Sequence, residues 1–319
     1  QVWWGLSHAV ARSELVPCGL AASPALTRLR FCIPLHRNRV VNTETAHAPS
    51  SRDESARTLA LSPAGQRAPT TKKRFMRTDY IPQVIRRLQE VYERQRETLQ
   101  TAAEWVADTL MADGLVYVFG ASHAGILTEE LVYRAGGLVP ISPIFIPGLT
   151  CDVRPITLTS FLERVDDYAW NAVQNVPLTD RDLLIVHSVS GRNPAPVEVA
   201  LYGKQKGAKV IGLTSLAYSQ SVSSRSRTGK RLFEVVDLVI DNGAPEGDAI
   251  VNLPGFPQAV SPVSTVLGAA LLHAIMAEAC ALLLEKGITP PVFMSANLEG
   301  GDAHNARLME HYRGRVLYL

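Results

Sequence analysis

The chain has 319 residues, 46% of them hydrophobic and 19% charged, which fits a soluble globular protein of one large or two ordinary domains. Its near-neutral total hides two unlike parts: residues 1–75 carry eleven Lys or Arg against four Asp or Glu, and residues 76–319 carry 21 against 26, so the larger part offers no basic face for nucleic acid. Four cysteines (18, 32, 151 and 280) include no CxxC pair, which argues against a disulfide framework or zinc site, and no apolar run approaches the ~20 residues that span a bilayer.

Taken in chain order, residues 1–75 show no sustained period and are rich in Ala, Arg, Ser, Thr and Pro. They are read as a disordered or non-native extension, since the chain starts at Gln1 and Met76 stands directly before the first helical pattern. Residues 76–319 form the expected domain. From 79 to 111, apolar residues recur at Ile81, Val84, Leu88, Val91, Leu99, Ala102, Val106 and Leu110, which predicts one long amphipathic helix or two, packed along one stripe. A buried strand follows at 115–119, then a helix over 124–135 stopped by Gly136 and Gly137. Residues 138–146 read as a strand broken by prolines, 147–154 as loop and 159–175 as helix. A central strand at 183–186 leads through Ser188, Ser190 and Gly191 into a helix over 194–206 and a strand at 209–214. Within the polar stretch 218–230, residues 219–228 read as a mobile loop; 238–241 reads as a strand, the Gly- and Pro-rich run to 261 as loop, and 262–286 as a helix buried in a core or interface. Strands separated by helices predict an α/β fold with a parallel sheet wound on both faces.

Parallel sheets place ligands where a strand's carboxyl end meets a helix start, because backbone N–H groups there lack partners and carry partial positive charge. Ser188 and Ser190 would add hydroxyls, and Gly191 would let backbone approach an anion closely. The bland alternative is that the serines only cap the helix. The other strand-to-helix turn, residues 120–125 (GASHAG), has the spacing G-x-x-x-x-G, but Ile126 and Leu127 replace the Lys-Ser/Thr of a phosphate loop. It also lacks the middle glycine of G-x-G-x-x-G, so nucleotide binding is set aside. Asp241, Asn242 and Asp248 could hold magnesium, but such residues more often cap turns, and no metal is expected.

The Ser-x-Ser-Gly turn at 188–191 followed by KGAKVIGLT at 206–214 resembles the core of the SIS (sugar isomerase) domain family. The segments VYVFGASHAG (116–125), EELVYRAGG (129–137), DLVIDN (237–242), GDA (247–249), PVST (262–265) and SANLEGGDAHN (295–305) resemble a phosphosugar-binding subgroup of it, over roughly residues 76–319. The resemblance implies a three-layer α/β/α sandwich with a flavodoxin-like, doubly wound parallel sheet, assembled as a homodimer or tetramer. It further implies a small-molecule sugar phosphate as ligand, no cofactor, and an isomerase or a related deaminase or lyase acting on a hexose or amino-sugar phosphate. The alternative is a non-catalytic sugar-phosphate sensor; no DNA-binding segment is attached, and nucleic acid and membrane are not expected partners. A cytoplasmic location is the simplest expectation.

Under that resemblance Ser188, Ser190, Gly191 and Asn193 hold the phosphate, aided by Ser122, and Arg192 could add charge. The loop at 120–125 departs from the family pattern, which carries Gly at the place of Ser122, Ser at the place of Ala124 and a further His at the place of Gly125. An enediol mechanism needs a base between C1 and C2 and a group to open the ring. Family enzymes carry a catalytic Glu on the helix after this loop, so Glu130 is the expected base, with a salt bridge to Arg134 as its structural alternative. His304 or His123 would open the ring. His187 is expected to be structural, because strand alternation turns it away from Ser188, and His273 to sit in a core or interface.

Overall fold

Continuous apolar runs such as LLIV at 183–186 belong to strands covered on both faces, and the computed structural model, which describes residues 78–319, puts all five main strands in one parallel sheet. The reading of residues 1–75 lies outside the described residues. Two helices open the fold, α1 (Tyr80–Arg94) and α2 (Arg96–Met111), followed by β1 (Val116–Gly120) and the short α3 (Ile126–Leu131). Next come β2 (Ile141–Pro143), α4 (Thr157–Leu162), α5 (Tyr168–Ala172), β3 (Leu183–His187), α6 (Pro194–Gln205) and β4 (Lys209–Thr214). The chain continues with α7 (Leu216–Ser221), β5 (Leu238–Asp241), β6 (Ala249–Val251), β7 (Val260–Pro262), α8 (Ser264–Glu285) and α9 (Gly301–Tyr312).

The sheet order is β2-β1-β3-β4-β5. Strand alternation divides its side chains between two cores: Val116, Val118, Leu183 and Ile185 pack with α2, α3 and α8, whereas Tyr117, Phe119, Leu184 and Val186 pack with α5, α6 and the C-terminal residues Tyr312 and Val316. This is the expected three-layer α/β/α sandwich. Connections leave β1 and β3 toward opposite edges of the sheet, so the loops after these two adjacent strands splay apart and open a crevice between them.

Several elements differ from the sequence reading, each for a tertiary reason. The long N-terminal helix breaks at Gln95, whose amide accepts the Asp241 N–H at 2.8 Å and donates to the Asp241 carbonyl at 2.6 Å, fixing the junction to the edge strand β5. Ile81 lies 55% exposed rather than on the packed stripe. Helix α3 ends at Leu131, before Gly136, because the following backbone pairs elsewhere: Gly136 N–H donates to Phe293 and Val139 N–H to Pro291. The helix expected over 159–175 is split by Asp167, in left-handed backbone at φ +67°. The Glu198 carboxylate of α6 holds that break by accepting the N–H groups of Asp167 (2.6 Å) and Trp170 (3.0 Å), an anion at the start of α5.

Two stretches read as loop carry structure. Residues 249–262 form an antiparallel hairpin of two three-residue strands, too short for alternation to register in the sequence. The polar stretch after β4 begins as α7, capped by Ser215 Oγ, which accepts the Tyr218 N–H at 3.0 Å. Beyond it, Arg192 donates to the Ser223 carbonyl at 3.0 Å, Arg225 N–H donates to the Arg192 carbonyl at 2.7 Å, and Arg227 pairs with Asp167. The stretch expected to be mobile is therefore tied to the β3 loop. Helix α8 is long and apolar enough to cross a membrane by length and composition; Leu271, Leu272, Ile275, Ala279 and Leu283 instead bury against α2 and the sheet.

Candidate functional site

The crevice between the β1 and β3 loops is a cavity of about 720 Å³ lined by Ser122, His123, Ser188, Ser190, Arg192 and Asn193, together with Glu163, Arg164, Tyr218, Arg225, Asp248 and Thr265. Its size lies within the range of small-molecule sites.

The β1 loop is held tightly. A Cβ on Gly120 would lie 2.4 Å from the Ala124 carbonyl oxygen, so only glycine permits the turn. Ser122 adopts φ +55°, the left-handed region that costs a residue with a Cβ about 1–2 kcal/mol, which accounts for the glycine that family members carry there. Its N–H donates to the Leu149 carbonyl at 2.7 Å and its hydroxyl shares a 2.8 Å hydrogen bond with Thr159. At Gly125 a Cβ would sit 3.0 Å from the Gly120 carbonyl oxygen, so a histidine there would require this turn to shift.

Beneath the loop His187 is fully buried, with Nδ1 3.0 Å from the Ala124 carbonyl. A carbonyl only accepts, so Nδ1 carries the proton and Nε2 is left with an unpartnered lone pair. Burial pushes the pKa of this ring down to about 4. His187 is a neutral pin between β3 and the β1 loop.

The β3 loop supplies the donors. Gly191 sits at φ +60°, and a Cβ there would meet Ser219 Oγ at 3.0 Å and Leu232 Cβ at 3.2 Å. Its N–H donates to Ser188 Oγ at 3.3 Å within the turn, and neither serine caps α6, whose start has no side-chain cap hydrogen bond. The N–H groups of Ser190, Arg192 and Asn193 meet no acceptor among the described residues. The start of α6 itself contributes less than expected: Pro194 and Pro196 have no N–H, and the Ala195 N–H donates to the Glu163 carbonyl at 3.2 Å. The donors left without acceptors belong to the turn rather than to the helix end.

Opposite this turn stands a group that the sequence did not single out. Glu163 Oε1 accepts a hydrogen bond from Asn193 Nδ2 at 2.9 Å, and Asn193 Oδ1 accepts one from Arg225 at 3.2 Å. Burial raises the Glu163 carboxyl above its usual range, against the opposing influence of Arg164, Arg225 and the Asn193 hydrogen bond. Burial, with the neighbouring Arg192 and Arg164 charges, lowers the pKa of Arg225. The other lining carboxylate, Asp248, is occupied: it accepts the N–H groups of Val263 (3.1 Å) and Ser264 (2.8 Å) and the Ser264 hydroxyl (2.7 Å), capping α8.

The three residues expected to do the chemistry do not come together. His123 lines the pocket. Glu130 does not: its carboxylate pairs with Arg134 and lies 2.9 Å from His273 Nε2 on α8. Its neighbour Glu129 faces a separate depression beside Phe145 and Asp152. His304, on α9, places Nε2 3.0 Å from the Val292 carbonyl, and the adjacent Asn305 amide bonds both backbone groups of Met294, so this helix straps the C-terminal segment outside the pocket. Asp241 and Asn242 are taken up by turns, accepting the N–H groups of Leu216 and Gly243 and of Ala244.

The SIS domain family matches residues 79–215. UPF0309 proteins of Shouchella clausii and Geobacillus kaustophilus are 45% identical over 240 residues and 44% identical over 244, covering 75% and 76% of this chain and 98% and 97% of theirs. Among solved structures, the phosphoheptose isomerase GmhA of Neisseria gonorrhoeae is 17% identical, with a TM-score of 0.42 over 63% of this chain and 95% of that one.

Proposed function

The chain belongs to the UPF0309 family and carries an SIS domain, and from that premise we propose that it binds a sugar phosphate in the crevice at the sheet's switch point and isomerises it. The observation that carries this reading is that Ser188, Ser190, Arg192 and Asn193 line one cavity and that the N–H groups of Ser190, Arg192 and Asn193 meet no acceptor among the described residues. A phosphate ester seated on the 188–193 turn would pair with those donors, which are worth most when the acceptor is charged.

In this reading a hexose or amino-sugar phosphate reaches from the turn toward Glu163. Glu163 Oε1 is oriented by Asn193, leaving Oε2 to take the proton from C2 of an open-chain aldose as O1 gains one, and to return it to C1 of the enediol as the O2 hydroxyl loses its own. A carboxyl raised by burial suits such a shuttle, since proton transfer is most efficient when the catalytic pKa approaches the working pH. His123, exposed at the pocket, would open the ring by moving a proton at the ring oxygen. Deamination or elimination would use the same base.

The engagement of Glu130 by Arg134 and His273 favours a second reading, a sensor that binds the ester without turning it over. A panel of hexose and amino-sugar phosphates separates the two: the isomerase reading expects a ligand that both raises the melting temperature and is converted. Stabilisation without conversion across the panel would leave the sensor, and no stabilisation by any ester would remove both.

A further inference from the structure

Eight of the fifteen arginines among the described residues pair with a carboxylate, and outside the cavity Arg87, Arg154, Arg181 and Arg307 do not. Arg94 pairs with Asp241, Arg96 with Glu93, Arg227 with Asp167, Arg231 with Glu234, Arg313 with Glu310 and Arg315 with Asp113. The three that line the cavity do not. Arg192 is held by the Ser223 carbonyl and hydroxyl, Arg225 by the Asn193 side-chain oxygen, and Arg164 by no hydrogen-bond acceptor among the described residues. Neutral acceptors fix two guanidinium groups in place without cancelling their charge. Like charges gathered in one cavity repel, and the lowered pKa of Arg225 reflects that repulsion together with burial. The lining carboxylates offset only part of it: Asp248 is committed to the start of α8, and Glu163, beside Arg164 and Arg225, is one acid against three guanidinium groups.

The 188–193 turn already provides two hydroxyls and three backbone donors for one phosphate. We propose that the ligand is a phosphosugar bearing a second acidic group, a carboxylate or a second phosphate ester, held by Arg164 and Arg225 while its first phosphate occupies the turn. This rests on the reading of the turn as a phosphate site and names the substrate class within it. Guanidinium suits either acid, since its planar fork meets carboxylate and phosphate oxygens in pairs.

Calorimetry with three probes tests it: glucose 6-phosphate, 6-phosphogluconate and glucose 1,6-bisphosphate. The expected result is that at least one doubly acidic probe binds roughly tenfold or more tighter than glucose 6-phosphate, and the two doubly acidic probes distinguish carboxylate from phosphate as the second group. Arg164→Gln should then remove most of that preference while changing glucose 6-phosphate affinity about twofold or less, and Arg225→Gln, which also loses the bond to Asn193, should weaken the doubly acidic probe more than glucose 6-phosphate. Equal binding of all three probes by the unaltered protein overturns the proposal and leaves the turn intact as a phosphate site. So does an equal loss for all probes in both variants, which would assign the arginines to the first phosphate. Failure of every probe to bind overturns the phosphate site itself.

Discussion

Changing Ser188 and Ser190 together to alanine is expected to weaken binding of the preferred sugar phosphate by at least about 100-fold. Each hydroxyl is taken to donate to a charged oxygen, a bond worth about 1.5–3 kcal/mol, and two such losses exceed the ~2.7 kcal/mol that separates a hundredfold in affinity. The fold should survive, because the Ser188 hydroxyl makes one 3.3 Å contact with the Gly191 N–H and the Ser190 hydroxyl has no partner among the described residues. Titration calorimetry beside a thermal melt separates the effects. A melting temperature close to that of the unaltered protein with affinity reduced a hundredfold supports the assignment, and affinity unchanged in a folded variant removes it.

Glu163→Gln is expected to lower kcat by about 10²–10⁴, the usual contribution of a positioned general base, with ligand affinity nearly preserved. The amide keeps the shape of the side chain, and its oxygen can still accept from Asn193 Nδ2, but it cannot carry a proton. Because burial raises the Glu163 carboxyl, the unaltered enzyme should lose rate as pH falls through a value above the ordinary glutamate range, where the base becomes protonated, and the variant's residual rate should lack that limb. Glu130→Gln supplies the contrast. Its carboxylate sits with Arg134 and His273 outside the cavity, so turnover should persist. Activity lost in Glu130→Gln and kept in Glu163→Gln would reverse the two roles.

Where a signal is local, the sequence carried it. Strands β4 and β5 fall at the expected residues, and β3 extends only one residue beyond the expected span, because runs such as KVIGLT and LVID are apolar and bounded by turn residues. The Ser-x-Ser-Gly turn was legible for the same reason: hydroxyls, a glycine and a helix start occur within six residues. What was not legible depends on contacts between distant segments. Glu163 reads as one more charged residue in a helical stretch until α4 ends beside Asn193, 30 positions away. Arg225 sits in a Ser-rich run that looks like solvent-exposed loop until Asn193 and Arg192 hold it at the pocket. Glu130 was chosen because of its place on the helix after the first loop, yet that helix is only six residues long. Its pairing with His273, 143 residues later, could not be read from spacing. The proline pair at the start of α6 was visible in the sequence and, weighed for its missing N–H groups, points to the turn as the source of donors.

The central claim is that the bend from Ser188 to Asn193 grips a phosphate ester, and a crystal structure of the protein soaked with mixed hexose phosphates tests it most directly. A phosphoryl group is expected within hydrogen-bond distance of the Ser190 hydroxyl and of the Ser190, Arg192 and Asn193 N–H groups, with the sugar extending toward Glu163. A phosphoryl group bound elsewhere, with the bend empty, would contradict it.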